Sequence, residues 1–429
     1  MDHTHVAPTP PLGWNSWDCY GAAVTEKEIR GNAEYMATHL KEYGWSYITV
    51  DIQWYEPLAT SSQYRPFAPL IMDEYSRLMP AENRFPSAAE GQGFKPLADY
   101  VHSLGLKFGI HIMRGIPRQA VHANTVLLGT NSTAREIAHT NSICPWNTDM
   151  YGVDYNKEGA QAYYDSLFEL YASWGVDLVK VDDIAASRLY DTHQPEIEMI
   201  SKAIKRAGRP MVLSLSPGPA PVEYAEFFAE QANMWRVTDD FWDQWPLLLD
   251  MFDRCRKWQG LPKEGCWPDC DMLPLGHIGI RSVDGGGADR WTRFTKDEQL
   301  TMMSLWSIFR SPLIFGGELR DNDDWTLSLL TNREVLRMHR ESHSAREVLR
   351  QGDLIVWTAA HVDGSTYIAV FNVGEQQVLP VELHLITVGL SPSVASQGIE
   401  LWSGDVTEVN GDIIQTNVPS HGVRLYRFT

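Results

Sequence analysis

The chain has 429 residues, with 36 Lys and Arg against 55 Asp and Glu, a formal net charge of −19. That acid excess argues against nucleic acid or an anionic membrane surface as partner, and no apolar run approaches the ~18 residues of a membrane span. Five cysteines are too few, and odd in number, for a disulfide framework; with no basic or apolar leader in MDHTHVAPTPPLG, the expected location is cytoplasmic.

The elements alternate along the chain. GWNSW (13–17) is the first short apolar run. Thr25 and Glu28 then have capping-box spacing, and Ile29, Ala33, Met36 and Leu40 follow at helical intervals until Gly44. YITVDIQW (47–54), FGIHIMRG (108–115) and VDLVKVDD (176–183) read as strands. So do MVLSLSPG (211–218), MWRVTDDF (234–241), CDMLPLG (270–276) and PLIFGG (312–317). Helical stretches at 159–174 and 297–310 lie between them. Near-continuous apolar strands separated by amphipathic helices define an α/β protein with a parallel sheet. Eight strands predict a (β/α)8 TIM barrel over residues 1–343. No G-x-G-x-x-G follows the early strands, against a dinucleotide fold.

After residue 343 the pattern changes. Leu354–Trp357, Tyr367–Phe371 and Val423–Phe428 are short β-type runs, with Asp363-Gly364 and Asn410-Gly411 as hairpin turns. Residues 344–429 are expected to form a C-terminal antiparallel β domain. The long segments 55–105 and 114–158 exceed ordinary loops and are placed on the barrel's C-terminal face, where they would shape a substrate site.

In a barrel, acids at the C-terminal ends of strands are the candidates for chemistry. Asp51, Asp182 and Asp240 stand at such ends, and Asp271 lies near the seventh run. Lys180 and Asp182 share one face of their strand, so the ammonium is expected to keep the carboxylate ionised, or to form a structural ion pair with it. Asp239 and Asp240 follow Arg236 among Phe241, Trp242 and Trp245; an acid desolvated there would have a raised pKa, as a general acid requires. Asp284-Gly285-Gly286-Gly287 lacks the G-K-[ST] of a phosphate loop and reads as a turn. Cys266 and Cys270 are wrongly spaced for a zinc ribbon. No metal and no cofactor are expected.

These motifs, PPLGWNSW (10–17), WGVDLVKVD (174–182), WRVTDD (235–240), WPDCDML (267–273), SPLIFGGELR (311–320) and the closing HGVRLYRF, resemble in order and spacing glycoside hydrolase family 27, the α-galactosidase family. The resemblance covers nearly the whole chain. It implies a catalytic barrel followed by an antiparallel β-sandwich, with Asp182 as nucleophile beside Lys180 and Asp240, rather than Asp239, as acid/base. It further implies Arg236 near the sugar 2-hydroxyl, Trp17 stacked beneath the ring, Asp51 on the far hydroxyls, and Asp271 and Met272 lining the pocket. The expected partner is an oligosaccharide or glycoside substrate; a homo-oligomer is compatible with it. A catalytically inactive sugar-binding protein and a metal-dependent barrel hydrolase are the readings from other classes.

Three positions depart from the family pattern. Galactose-specific members typically carry Asp-Asp after the second strand; this chain has Asp51-Ile52. The Tyr common after the third strand is His111, and a Glu seen in many relatives after the fifth is Ser216. β-L-Arabinopyranose is α-D-galactopyranose without the hydroxymethyl at C5. Ile52 offers that hydroxymethyl no partner and fills its space, so the chain leans to β-L-arabinopyranosides, with α-galactosides or α-N-acetylgalactosaminides as alternatives. Strict strand alternation would point Ile52 away from Asp51; the expectation requires the chain to leave the strand there.

Overall fold

The structure, a computed structural model, describes residues 2–187, 189–282, 287–391 and 397–429. Eight parallel strands form the inner sheet: β1 (Leu12–Asn15), β2 (Tyr47–Val50), β3 (Lys107–Met113), β4 (Leu178–Asp182), β5 (Val212–Leu215), β6 (Met234–Arg236), β7 (Trp267–Asp269) and β8 (Leu313–Phe315). Their order is β7-β6-β5-β4-β3-β2-β1-β8, so all neighbours but one are sequential. The remaining seam closes through an isolated parallel bridge, Leu273 to Phe315. The seventh strand therefore precedes the run expected for it: Trp267–Asp269 pairs with Met234–Arg236, and Cys270–Gly276 leaves the sheet, touching it again at Leu273. An apolar run marks burial, not hydrogen bonding, and Met272, Leu273 and Leu275 are buried without being a strand.

The helices lie where their signals stand. α1 (Trp17–Tyr20) follows β1 directly. α2 (Glu26–His39) carries the complete Thr25–Glu28 capping box, with Ile29, Ala33 and Met36 buried; a 3-10 turn then runs to Gly44, whose φ of 101° ends it. α3 (Ala160–Trp174) begins after Gly159 and stops at Gly175. α4 (Lys296–Phe309) opens on a second full capping box, Thr295–Glu298.

The C-terminal part is an antiparallel sheet of eight strands, opening with β9 (Ser342–Gln351), β10 (Leu354–His361) and β11 (Thr366–Asn372), and ending with β12 (Val423–Phe428) beside β11. Both predicted hairpin turns are present, with Gly364 and Gly411 at φ of 90° and 69°. Alternation sorts the two faces. Val356, Ile368, Val370 and Phe428 fill the core between the curled halves of the sheet, while Trp357, Ala369, Phe371 and Leu425 join the barrel's core. The long segments 55–105 and 114–158 carry a small three-stranded sheet and several short helices. The expected 284–287 turn lies, except for Gly287, outside the described residues.

Candidate active site

A cavity of about 290 Å³ opens at the C-terminal ends of the strands. Strand tips supply Asp51, Ile52, Lys180, Asp182 and Arg236; α1 supplies Trp17 and Asp18, and the loops beyond the other strands supply Pro217, Asp240, Phe241, Trp242, Asp271 and Met272. Ser62, Tyr64 and Trp146 reach in from the two long segments. Tyr64 stacks on Trp17 with ring centroids 6.1 Å apart, and Trp146 leans on Tyr64 at 5.8 Å. This aromatic wall joins segments distant in sequence; the length of the segments is its only trace in the chain.

Asp51 and Ile52 both face the cavity because β2 ends at Val50. The Ser16 hydroxyl takes the Asp51 N–H at 3.0 Å, and Asp51 Oδ1 accepts from its neighbour's N–H, Ile52, at 2.9 Å. Side-chain oxygens thus replace the ladder and turn the chain out of the strand. The alternation that would have hidden Ile52 no longer applies.

Lys180 and Asp182 share the inward face of β4, as expected, but not a direct ion pair. Lys180 Nζ donates to Asp51 Oδ2 at 3.0 Å, and Asn15 donates to the same oxygen at 2.7 Å. Asp182 is held by others: Oδ2 lies 3.0 Å from His111 Nε2, and Oδ1 accepts the Asp183 N–H at 2.8 Å. Burial works to raise the Asp182 carboxyl, yet the His111 hydrogen bond and charge, Lys180 and the Asp183 N–H hold it well below the usual carboxylate range. Asp51 is likewise lowered, as Lys180 and His111 outweigh its burial. His111 and Ser216 stand one layer beneath the cavity surface: His111 is fully buried behind Asp182, and the Ser216 hydroxyl donates to the Val181 carbonyl at 3.4 Å, leaving Pro217 to line the wall.

Across the cavity, Arg236 pairs with Asp271 at 2.8 Å and with Asp240 at 3.2 Å. The buried member is Asp271, pushed up to about 7 by burial, with Asp240 and Asp269 adding to it against the pull of Arg236. Asp240 departs from expectation. Its side chain is 59% exposed at the mouth, so the desolvation expected among Phe241, Trp242 and Trp245 is absent: Phe241 and Trp242 are buried beside it rather than over it. Cys270 lies 3.6 Å from Cys255, not beside Cys266, and among the described residues no His, Cys, Asp and Glu group is arranged to hold a metal.

Behind Asp182 a buried clamp holds the strand end. Arg114 N–H donates to the Asp182 carbonyl at 3.1 Å, its guanidinium meets Asp183 at 3.0 Å, and it continues to Glu196 at 3.1 Å. Asp183 adopts φ of 56°, a left-handed conformation costly for a residue with a Cβ. Burial pushes its carboxyl up to about 6, with Asp182 adding and Arg114 opposing. Between the unfolded value and about 6 the folded state binds the extra proton, so this contribution to stability is lost as pH rises through that window. Relative to wild type, Asp183→Asn should therefore gain up to about 3 kcal/mol between pH 4 and 7. Urea unfolding at both pH values checks this; a constant gap would remove the assignment.

A barrel with carboxylates and aromatic rings gathered around a small cavity at its C-terminal face has the form of a carbohydrate-processing hydrolase. The α-galactosidase A family model matches residues 153–341, and the α-galactosidase C-terminal β-sandwich domain model matches 351–428. A glycoside hydrolase family 27 β-L-arabinopyranosidase from Geobacillus stearothermophilus is 65% identical, with a TM-score of 0.98 over 100% of this chain and 98% of that one. A variant of that enzyme, 64% identical over 100% and 99% of the two chains with a TM-score of 0.98, has been solved in complex with arabinose. A candidate α-N-acetylgalactosaminidase from Bacillus halodurans is 61% identical, with a TM-score of 0.89 over 98% and 97% of the two chains. α-Galactosidase 2 of Arabidopsis thaliana is 25% identical over 99% of this chain and 90% of its own length. The chain belongs to glycoside hydrolase family 27, and it is a glycoside hydrolase. No described helix is long and apolar enough to cross a membrane.

Proposed function

We propose that the protein is a retaining exo-glycosidase that releases terminal β-L-arabinopyranosyl residues, and α-D-galactosyl residues more slowly. The observation that carries the mechanism is Asp182: a carboxylate at the cavity wall, its side chain 16% exposed, that His111 and Lys180 hold well below the usual carboxylate range, as a nucleophile must be. Asp182 attacks the anomeric carbon while Asp240 protonates the departing oxygen. A covalent glycosyl-enzyme forms, and water activated by Asp240 then releases the sugar. Exposure of Asp240 at the mouth suits this double duty, since it meets both the aglycone and the incoming water. Arg236, paired with Asp240 and Asp271, binds a hydroxyl beside the anomeric carbon in this scheme.

The choice of sugar rests on Ile52, buried in the cavity wall beside Asp51, and on the 65% identical β-L-arabinopyranosidase. Initial rates on matched nitrophenyl β-L-arabinopyranoside, α-D-galactoside and α-N-acetylgalactosaminide test it. The arabinopyranoside should have the highest kcat/KM; a wide preference for either other sugar would make the enzyme an α-galactosidase or α-N-acetylgalactosaminidase instead. If Asp240 is the proton donor, Asp240→Asn should lower kcat/KM by about 10²–10⁴ on an alkyl glycoside, but far less on a dinitrophenyl glycoside. An equal loss on both would place the acid elsewhere.

A further inference from the structure

Asp18 has no part in the scheme above. It sits in the first turn of α1, next to Trp17, is 1% exposed, and yet belongs to the cavity wall. Its Oδ2 has no hydrogen-bond partner. The carboxyl lies over Gly316, one residue past β8: a Cβ built on Gly316 would stand 1.9 Å from Oδ2. Any other residue at 316 would displace it, so the strand end is shaped to admit this acid. A buried carboxyl without a partner is costly; Oδ2 is closed off against Gly316, so it is through the other oxygen that Asp18 belongs to the cavity wall, and a cavity ligand bonded there accounts for its place.

Its surroundings also set its chemistry. Burial, then the charge of Asp271, pushes the group well above the usual carboxylate range despite Lys180. Asp51 and Asp182 are held low and accept hydrogen bonds, and Lys180 and Arg236, each also paired with Asp51 or Asp271, are the cations of the wall. Asp18, pushed towards its protonated form, adds a group with no partner inside the protein. It stands between β1 and β8, whereas Asp182 ends β4, four places from β8 in the sheet order. It thus faces the cavity from a different side than Asp182 does.

We infer that Asp18 is a substrate-positioning residue whose carboxyl, unpartnered within the protein, hydrogen-bonds a ring hydroxyl of the bound pyranoside. The inference rests on the glycosidase reading only for the nature of the ligand.

The test is calorimetric titration of free L-arabinose, which needs no turnover, into wild type, Asp18→Ala and Asp18→Asn. Loss of one buried hydrogen bond should raise Kd about five- to a hundredfold in Asp18→Ala. Asp18→Asn, whose amide keeps a donor in the same place, should recover most of that loss. On nitrophenyl β-L-arabinopyranoside the Ala variant should show the same factor mainly in KM, with kcat changed less than about threefold; a structural defect would instead lower kcat and the active fraction together. If Asp18→Ala folds poorly, Asp18→Ser, whose hydroxyl falls short of the sugar, must show the same loss of affinity. An unchanged Kd in Asp18→Ala, or equal weakness in Asn and Ala, overturns the inference. Residual turnover by Asp182→Asn would overturn the mechanism instead, leaving the binding comparison intact.

Discussion

Asp182→Asn is expected to lower kcat by at least about 10⁴-fold on every glycoside, the scale on which loss of a nucleophile is felt. The fold should survive. The amide is isosteric, and its oxygen can still accept the Asp183 N–H. The melting temperature should therefore stay near that of wild type. Asp182→Ala opens space where Asp182 stood, and external azide should restore turnover there by attacking the anomeric carbon directly. The product would be the glycosyl azide of opposite anomeric configuration. Retention of more than about one per cent of activity by Asp182→Asn, in the face of these magnitudes, would remove the nucleophile from this residue. An azide product of unchanged configuration would do so as well.

The second large effect is a change of specificity from one substitution. Ile52→Asp should raise kcat/KM on α-D-galactosides by about ten- to a hundredfold, the worth of one charge-assisted hydrogen bond to the C5 hydroxymethyl. The gain requires position 52 to face the cavity, as it does once Ser16 and Asp51 have turned the chain out of β2. The new carboxylate would join Asp51 and Asp182, with Lys180 and Arg236 the cations of the wall. With β-L-arabinopyranoside it would be desolvated without a partner, so activity on that sugar should fall. Matched kinetics on both nitrophenyl glycosides give the ratio directly. If the ratio does not move, Ile52 does not set the choice at C5, and a residue of the 55–105 segment such as Tyr64 becomes the candidate.

Much of the site was legible because strand ends are local features. Asp51, Asp182 and Arg236 each follow or close an apolar run, and β-alternation placed Lys180 with Asp182 on one face. The capping box at Thr25 marked one helix from four residues. Partners were less legible than positions. Lys180 reaches across to Asp51 and His111 reaches Asp182 because β2, β3 and β4 are neighbours in the sheet, and sequence spacing carries no record of which tips converge. Asp18 was overlooked for the same reason: its distinguishing contact, with Gly316, spans about two-thirds of the chain.

The sequence by itself determined the alternation of strand and helix, the change to antiparallel β structure after the barrel, and the acids that stand at strand tips. These follow from periodicity and from backbone preferences that act within a few residues. Tertiary structure decided what those acids are. Asp182 is held low because His111, Lys180 and a turned N–H surround it, and Asp240 remains in water at the mouth while its neighbours Phe241 and Trp242 are buried. It also decided that the apolar run at 270–276 would close the barrel at one residue instead of forming its seventh strand. Burial and charge depend on what the rest of the chain brings near a group, and local sequence does not contain that.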